Sequence, residues 1–393
     1  MGLQAVFARR AFTPQDEIAD AVILLDGSTI AAAGRRNEIA VPASARRLDK
    51  REFTIVPGFI DVHIHGAAGH DFMEADPQAL RAITASVAAR GTTSLVATTV
   101  TASDDVTCRA VEAIAVGMEQ QLRQPFTAAA SAEILGVHFE GPFISRVRRG
   151  VHPVEWIAEP SVPRLRKFLD AAKGSARILT LAPELPGSAD VMAEARNSGV
   201  VVSLGHTDAT YTESMNAISR GARHAAHVFN AMRPFAHRET GVLGAVLTSS
   251  SVTAELIADG VHIDDAAIRI LFATKGREGI ILVSDGIAAT GMPDGQYKLG
   301  TSDVNVSGGI ARNAEGKLAG STLTLDRALR NMLALGIPIR DVLPMLTSNP
   351  ARLLGLGERK GCLKAGADAD LILLDDRLEI AGVMTRGAGF DQT

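Results

Sequence analysis

The residues of this chain best equipped for chemistry share one habit: each closes an apolar run. His63 and His65 follow "VPGFIDV", Glu140 ends "ILGVHFE", His206 follows "VVSLG", and His227 follows "ARHAA". His262 ends "AELIADGVH", and Asp285 follows "GIILVS". A carboxylate framed by phenylalanines and a proline, as Glu140 is in "GVHFEGPF", is costly to desolvate unless a cation, a donor or a proton meets it. Imidazoles and carboxylates converging from separate strands suit a borderline divalent metal such as zinc, and iron, manganese or cobalt could take the same set. Glu140, His206 and His227 are therefore the expected metal ligands, with a water in the open position. His63 and His65, one residue apart on a strand, point the same way. They could bind a second metal or simply line the site. Each residue also has a bland alternative: a core hydrogen bond for a lone histidine, an ion pair with Arg146, Arg148 or Arg149 for Glu140, a helix cap for Asp285.

These residues need a scaffold that gathers strand ends. Eight β-rich apolar runs recur, mostly separated by stretches long enough for a crossover helix: "TIVPGFIDVHIHG", "TTSLVATTV", "ILGVHFEGPF", "ARILTLAPE", "GVVVSLGHT", "ARHAAHVFNAM", "VTAELIADGVH" and "GIILVSDG". Continuous apolar runs fit parallel strands covered on both faces, and eight of them alternating with helices predict an α/β fold, a (β/α)8 TIM-type barrel. Active sites in such barrels gather at the C-terminal strand ends, where the residues above fall. A doubly wound open sheet is the competing fold, but its Gly-rich phosphate fingerprint is absent. The flanks, with "DAVILLDGSTIAAAG" near the start and "KGCLKAGADADLILLDDRLEIAGVMTRG" near the end, alternate apolar and polar residues as half-exposed antiparallel strands do. They predict a small β-sandwich domain built from both termini, residues 1–55 and 355–393, around a barrel spanning 56–354. A hairpin-like insert, "DGQYKLGTSDVNVSGGIARNAEGKLAG", follows the eighth run.

The whole chain narrows the function classes. With 393 residues, 46% hydrophobic, and a net charge of −4, it is too acidic overall for a nucleic-acid binder and lacks any run resembling a membrane helix. Its two cysteines, Cys108 and Cys362, match no metal or redox spacing and fit a reducing cytoplasm. The first residues show no export signal or lipid anchor.

"PGFIDVHIHG" and the closing "GCLKAGADADLILLD" resemble the amidohydrolase superfamily. The inner motifs "GVHFEGPF", "LGHT", "HVFNAMRPFAHRETG", "ADGVH", "LVSDG" and "LAGST" resemble its N-acetylglucosamine-6-phosphate deacetylase family, in this order and across nearly the whole chain. The resemblance implies metal ligands at Glu140, His206 and His227, and a catalytic acid/base at Asp285. It implies substrate contacts at Val151, His152, Asn230, Ala231, Arg238, Asp259, His262, Leu318, Ala319 and Gly320. It also implies a phosphorylated N-acetyl amino sugar as the small-molecule partner and a homodimer or homotetramer as the assembly. His152, in "RRGVHPVEW", could donate to the oxyanion that forms when water attacks the acetamide, or could sit on the surface. The intact "HIH" permits one or two metals. The fourth run ends "LAPE" without the bridging lysine of other amidohydrolases, a place that Glu140 is expected to fill. A deacetylase of another amino-sugar phosphate, such as N-acetylgalactosamine 6-phosphate, and a cyclic-amide hydrolase of the same superfamily are the alternatives. A non-enzymatic scaffold would have lost the ligands.

Overall fold

The strands Phe59–Ile64, Thr92–Thr99 and Glu133–Glu140 are buried at every position, as a sheet covered on both faces requires. The computed structural model, which describes residues 2–14, 16–123 and 131–390, sets them side by side in an eight-stranded sheet. Ala176–Leu181, Val201–Leu204, His224–Ala225, Thr253–Leu256 and Ile280–Leu282 continue it in chain order, every pair parallel. The two ends then meet. Ile64 bridges Gly286 in parallel, the Asp285 amide donates to the His63 carbonyl at 2.9 Å, and the His65 amide donates to Gly286 at 2.8 Å. This is the expected (β/α)8 barrel, with helices Pro77–Ala88, Asp104–Arg123, Val162–Ala172, Ser188–Asn197, Tyr211–Ser219, Gly241–Thr248, Asp265–Lys275 and Leu325–Ala334 after successive strands.

Local chemistry agrees with these boundaries. Asp76 caps its helix by accepting from the Gln78 amide just ahead of Pro77, and Thr210 and Glu213 cap theirs reciprocally. The pleat explains how Glu140 can sit among phenylalanines. Phe139 faces outward and stacks on Phe168 of the following helix, ring centroids 5.7 Å apart. His138, on the opposite face, reaches the Val62 carbonyl and the Thr180 hydroxyl inside the barrel. Glu140 shares that inner face.

Strands from both ends of the chain form a separate six-stranded sheet, ordered Ile380–Met384, Leu371–Leu374, Arg46–Pro57, Leu3–Phe12, Glu17–Asp26, Thr29–Arg35. Pairing is not antiparallel throughout, as the alternating pattern predicted: Leu3–Phe12 runs parallel to Arg46–Pro57. The reason is the path. After the edge strand Thr29–Arg35 the chain crosses back to the far side of Leu3–Phe12, so its next strand enters in the same direction. Ile55, Leu371 and Leu373 join Val6, Ile23 and Leu25 in the sheet's own core, while Val56, Ile372 and Leu374 belong to the barrel's core. The insert after strand eight is a three-stranded antiparallel sheet, Gly295–Leu299, Ser302–Ser307 and Ile310–Asn313. Its Leu299, Val304 and Val306 pack with Val100 and Ile287, which seats it on the barrel. Among the described residues no helix is long and apolar enough to cross a membrane.

A buried charge cluster links the terminal sheet to the barrel. Lys360 Nζ, with no side-chain exposure, lies 2.6 Å from Glu133 at the start of the third barrel strand, 2.9 Å from Asp368 and 2.7 Å from Asp370. Arg359 also contacts Glu133 and lies 2.9 Å from Asp368. Burial would lower the Lys360 pKa, but the three carboxylates reverse that and hold the ammonium charged. Removing one partner from such a cluster strands the others in low dielectric. Lys360→Met is therefore expected to cost about 3–5 kcal/mol of stability, measured as a lowered urea midpoint, with kcat per folded molecule retained. A midpoint within experimental error of wild type would show that the cluster contributes nothing to joining the two parts.

Candidate metal centre and active site

Three of the site residues leave the barrel wall in an unusual backbone conformation. His206, His227 and Asp285 have φ of 47°, 24° and 49°, a left-handed region that costs a non-glycine residue about 1–3 kcal/mol and persists only where surroundings over-determine it. Each stands just past its strand. The chain turns there, so the side chains aim inward across the mouth. Gly320 supports the third turn: its φ is +58°, and a Cβ there would sit 2.9 Å from the Asp285 carbonyl and 2.5 Å from Ile287. Only glycine lets the loop after the insert lie against Asp285, where the Ser321 amide donates to the Asp285 carbonyl at 2.7 Å.

Glu140 stands at the middle of the cluster. Its Oε1 lies 3.0 Å from His206 Nε2, 3.0 Å from His227 Nε2 and 3.3 Å from His63 Nε2. Its Oε2 lies 3.2 Å from His152 Nε2 and 3.4 Å from His65 Nε2. Asp285 Oδ1 is 3.2 Å from His65 Nε2 and 3.7 Å from His63 Nε2. The arginines weighed as partners for Glu140 are engaged elsewhere: Arg146 with the Val154 and Ile157 carbonyls, Arg148 with Asp208, Arg149 with the His152 carbonyl and Glu315. Glu184, ending "LAPE", binds the Thr207 hydroxyl at 2.6 Å and the Asp208 amide at 2.7 Å. It braces the loop that carries His206.

The far side of each imidazole decides what its near side offers. His206 Nδ1 lies 3.0 Å from the Arg148 carbonyl and His65 Nδ1 3.3 Å from the Thr98 carbonyl. A carbonyl can only accept, so both rings carry a proton on Nδ1, and His206 when neutral presents an Nε2 lone pair to the cluster. Burial would lower His65, but Asp285 and Glu140 raise it to about 9, so its Nε2 serves a cation only in exchange for a proton. His152 is reversed: its Nδ1 accepts the Thr101 backbone amide at 3.3 Å and lies 2.8 Å from the Thr101 hydroxyl. This ring therefore presents an N–H.

Charge follows the same geometry. Burial pushes the Glu140 carboxyl up, and the imidazoles that surround it, His63 first, more than reverse this, holding it well below the usual carboxylate range. Burial raises Asp285 too, and His65 and His63 bring it below its ordinary value. Burial lowers His206 to about 4 despite the pull of Glu140, so this ring is neutral near pH 7 and free to ligate.

An amidohydrolase family model matches residues 54–388. The chain belongs to the amidohydrolase family. Curated relatives include the N-acetylglucosamine-6-phosphate deacetylase of Lysinibacillus sphaericus, 38% identical over 350 residues, covering 88% of this chain and 88% of that one. The N-acetylgalactosamine-6-phosphate deacetylase of Escherichia coli O157:H7 is 34% identical over 381 residues and covers 97% of both chains. Among solved structures, a point mutant of the Mycobacterium smegmatis N-acetyl-D-glucosamine-6-phosphate deacetylase, in complex with N-acetyl-D-glucosamine-6-phosphate, superposes with a TM-score of 0.91 at 36% identity, covering 99% of each chain.

Amidohydrolases are metal-dependent, and this one has side chains to match. Nε2 of His206 and Nε2 of His227 lie only 3.1 Å apart, close to the roughly 3.4 Å edge of a tetrahedron whose ligands stand about 2.1 Å from a shared centre. Among the described residues nothing partners His227 Nδ1, so that nitrogen can carry the ring's proton whenever a cation takes the Nε2 lone pair. His63 Nε2 is buried without a hydrogen-bond partner. Glu140 with His63 and His227, and His63 with His65 and Asp285, each form a group compact enough to hold an ion.

Beside the cluster opens a cavity of about 240 Å³ lined by Val151, His152, Asn230, Ala231, His262, Leu318 and Gly320 among others. Asp259 and Ala319 are not on its wall: Asp259 holds His262 through Nδ1 at 2.7 Å, and Ala319 is buried under the insert. Arg238 is not on the wall either; it sits exposed on the tight turn between Ala236 and Glu239. Its neighbour Glu239 accepts the Tyr211 and Gly241 amides rather than pairing with it. Two participants escaped the sequence reading. Lys317, from the insert, lines the cavity. Glu255, fully buried inside the barrel, was signalled as Glu140 was, by a carboxylate within an apolar run, "TAELIA".

Proposed function

We propose that this amidohydrolase removes the acetyl group of N-acetylglucosamine 6-phosphate, yielding glucosamine 6-phosphate and acetate, in cytoplasmic amino-sugar catabolism and cell-wall sugar recycling. The observation that carries this is the cluster itself: Glu140 ringed by five imidazoles, Asp285 beside them, and a cavity alongside. The proposed ligands are Glu140, His206 and His227 for a first divalent metal, zinc for preference, and His63, His65 and Asp285 for a second where one is held. Such a metal polarises an amide carbonyl and lowers the pKa of a bound water towards neutrality. Asp285, ionised at neutral pH, takes one proton as water adds to the acetamide carbon, then gives it to the nitrogen as the C–N bond breaks, so that the amine leaves neutral with acetic acid, whose remaining proton passes to the amine or to solvent to give acetate. His152, with its proton on Nε2, donates to the carbonyl oxygen as negative charge gathers there. Assembly as a homodimer or homotetramer is supported by Val147, Phe235 and Val261, apolar and exposed on loops after the barrel strands.

The sugar-phosphate assignment predicts a substrate preference. His262 lines the cavity, and Arg238, exposed on the turn after the sixth strand, is the proposed partner of the phosphate. A guanidinium grips phosphate oxygens through two parallel bonds. N-acetylglucosamine 6-phosphate is thus expected to exceed N-acetylglucosamine in kcat/KM by at least about a hundredfold, because anchoring the phosphate holds the acetamide in place. Arg238→Ala should remove most of that preference and barely change the unphosphorylated sugar. Acetate release across both sugars and N-acetylgalactosamine 6-phosphate measures this. Equal rates with and without phosphate would refute the assignment, and a preference for the galactose epimer would favour the reaction for which the Escherichia coli relative is named.

A further inference from the structure

Glu255, on the strand Thr253–Leu256, has no solvent exposure, and the hydrolysis outlined above makes no use of it. Donors meet it from three directions. Oε2 lies 2.8 Å from His63 Nδ1 and accepts the His227 backbone amide at 3.0 Å, while Oε1 lies 2.8 Å from His224 Nε2. His224 is anchored at its other nitrogen, 2.7 Å from the Thr253 hydroxyl. An oxygen that accepts the His227 amide is poised to accept from His63 as well, which places the His63 proton on Nδ1 and leaves the Nε2 lone pair facing inward. That Nε2 is the buried nitrogen without a hydrogen-bond partner, 3.3 Å from Glu140 and 3.7 Å from Asp285.

We propose that Glu255 is a positioning residue that makes His63 a cation ligand and, through the same carboxylate oxygen, locks it to the main chain of His227. The proposal rests on the metal-centre reading and deepens it: one carboxylate fixes a ring of the first barrel strand and the backbone after the sixth, so the two halves of the cluster are held by a single group. A carboxylate on the far nitrogen of a ligating imidazole sets its tautomer and raises its basicity. Were Glu255 only a partner for His224 in the core, the His63 tautomer and the cation affinity would not depend on it.

The test uses the full-length protein and the isosteric Glu255→Gln variant, both stripped of metal and titrated with chelator-buffered Zn2+. The variant is expected to bind at least one zinc equivalent about 10–100-fold more weakly than wild type. Long-range 1H–15N spectra of metal-free wild type, recorded at a pH high enough that the His63 ring carries a single proton and with its signals assigned by their loss in His63→Asn, are expected to show that proton on Nδ1. This measurement needs no Glu255 variant and stands even if Glu255→Gln does not fold. A His63 proton on Nε2, or equal zinc affinity in wild type and variant, overturns the role of Glu255 alone. No zinc binding by wild type overturns the metal-centre reading and this proposal with it.

Discussion

Asparagine at position 285 is expected to lower kcat by about a thousandfold or more while leaving KM within a few-fold of wild type. One positioned acid/base contributes on the order of 10²–10⁴ in rate, and Asp285 is asked to act twice, on the attacking water and on the departing nitrogen. The amide keeps the shape of the carboxyl but cannot take up a proton near neutrality. Its neighbours argue that the native group is ionised and aimed correctly: burial alone would raise it, yet His65 and His63 draw it below the ordinary carboxylate value. The Ser321 amide and the close approach of Gly320 hold the turn on which it sits. As pH falls through that ionisation the wild-type enzyme loses its base, so kcat/KM should decline on the acid side, and Asp285→Asn should abolish or displace that limb. Steady-state kinetics with metal content measured in parallel separates lost chemistry from lost metal. A variant that kept a tenth of wild-type kcat would remove Asp285 from this role.

Glu140→Gln is expected to weaken metal retention by more than about a hundredfold, beyond the 10–100-fold typical of losing a group behind the ligands, and activity should fall with it. The amide fills the same volume but brings no negative charge to a cation shared with His206 and His227, whose Nε2 atoms lie 3.1 Å apart. Elemental analysis after dialysis reads the effect directly: at least one equivalent of divalent transition metal per wild-type subunit, little in the variant. Chelation of wild type should abolish turnover, and added zinc should restore it. Should the variant retain a full equivalent, Glu140 is not a ligand and its burial needs another cause.

Much of this is readable in the sequence because polar, ligand-type side chains and barrel strands impose opposite demands on the same few positions. A strand covered on both faces must be apolar, so His63, His65, Glu140, His206, His227 and Asp285 stand out where their runs end. The sixth run was legible as a unit but not in its extent: only His224–Ala225 pairs as strand, and the remainder of "ARHAAHVFNAM" is the turn that places His227. Arg238 was harder, because it lies on a short turn whose path depends on Glu239 accepting the amides of Tyr211 and Gly241, a contact that no periodicity encodes. Glu255 was missed for a different reason. It sits within its strand, one level below the mouth, and attention to strand ends passes over it. The parallel pairing of Leu3–Phe12 with Arg46–Pro57 depends on a crossover whose direction alternation alone cannot reveal.

The seam where the barrel closes has a consequence for how the molecule comes into being. The Ser284 amide approaches the Asp61 carboxylate at 3.3 Å across 223 residues of sequence, and the His63 carbonyl waits for the amide of Asp285. Contacts so distant along the chain form late, since a very long loop must be closed first. During synthesis the first-strand histidines emerge long before their partners from the eighth strand exist. Until then a nascent chain can carry Glu140, His206 and His227 yet lack Asp285, the proposed acid/base. Catalytic competence should therefore arrive abruptly with closure of the seam, and ribosome-bound chains ending before Asp285 should be inert even when most of the barrel has folded.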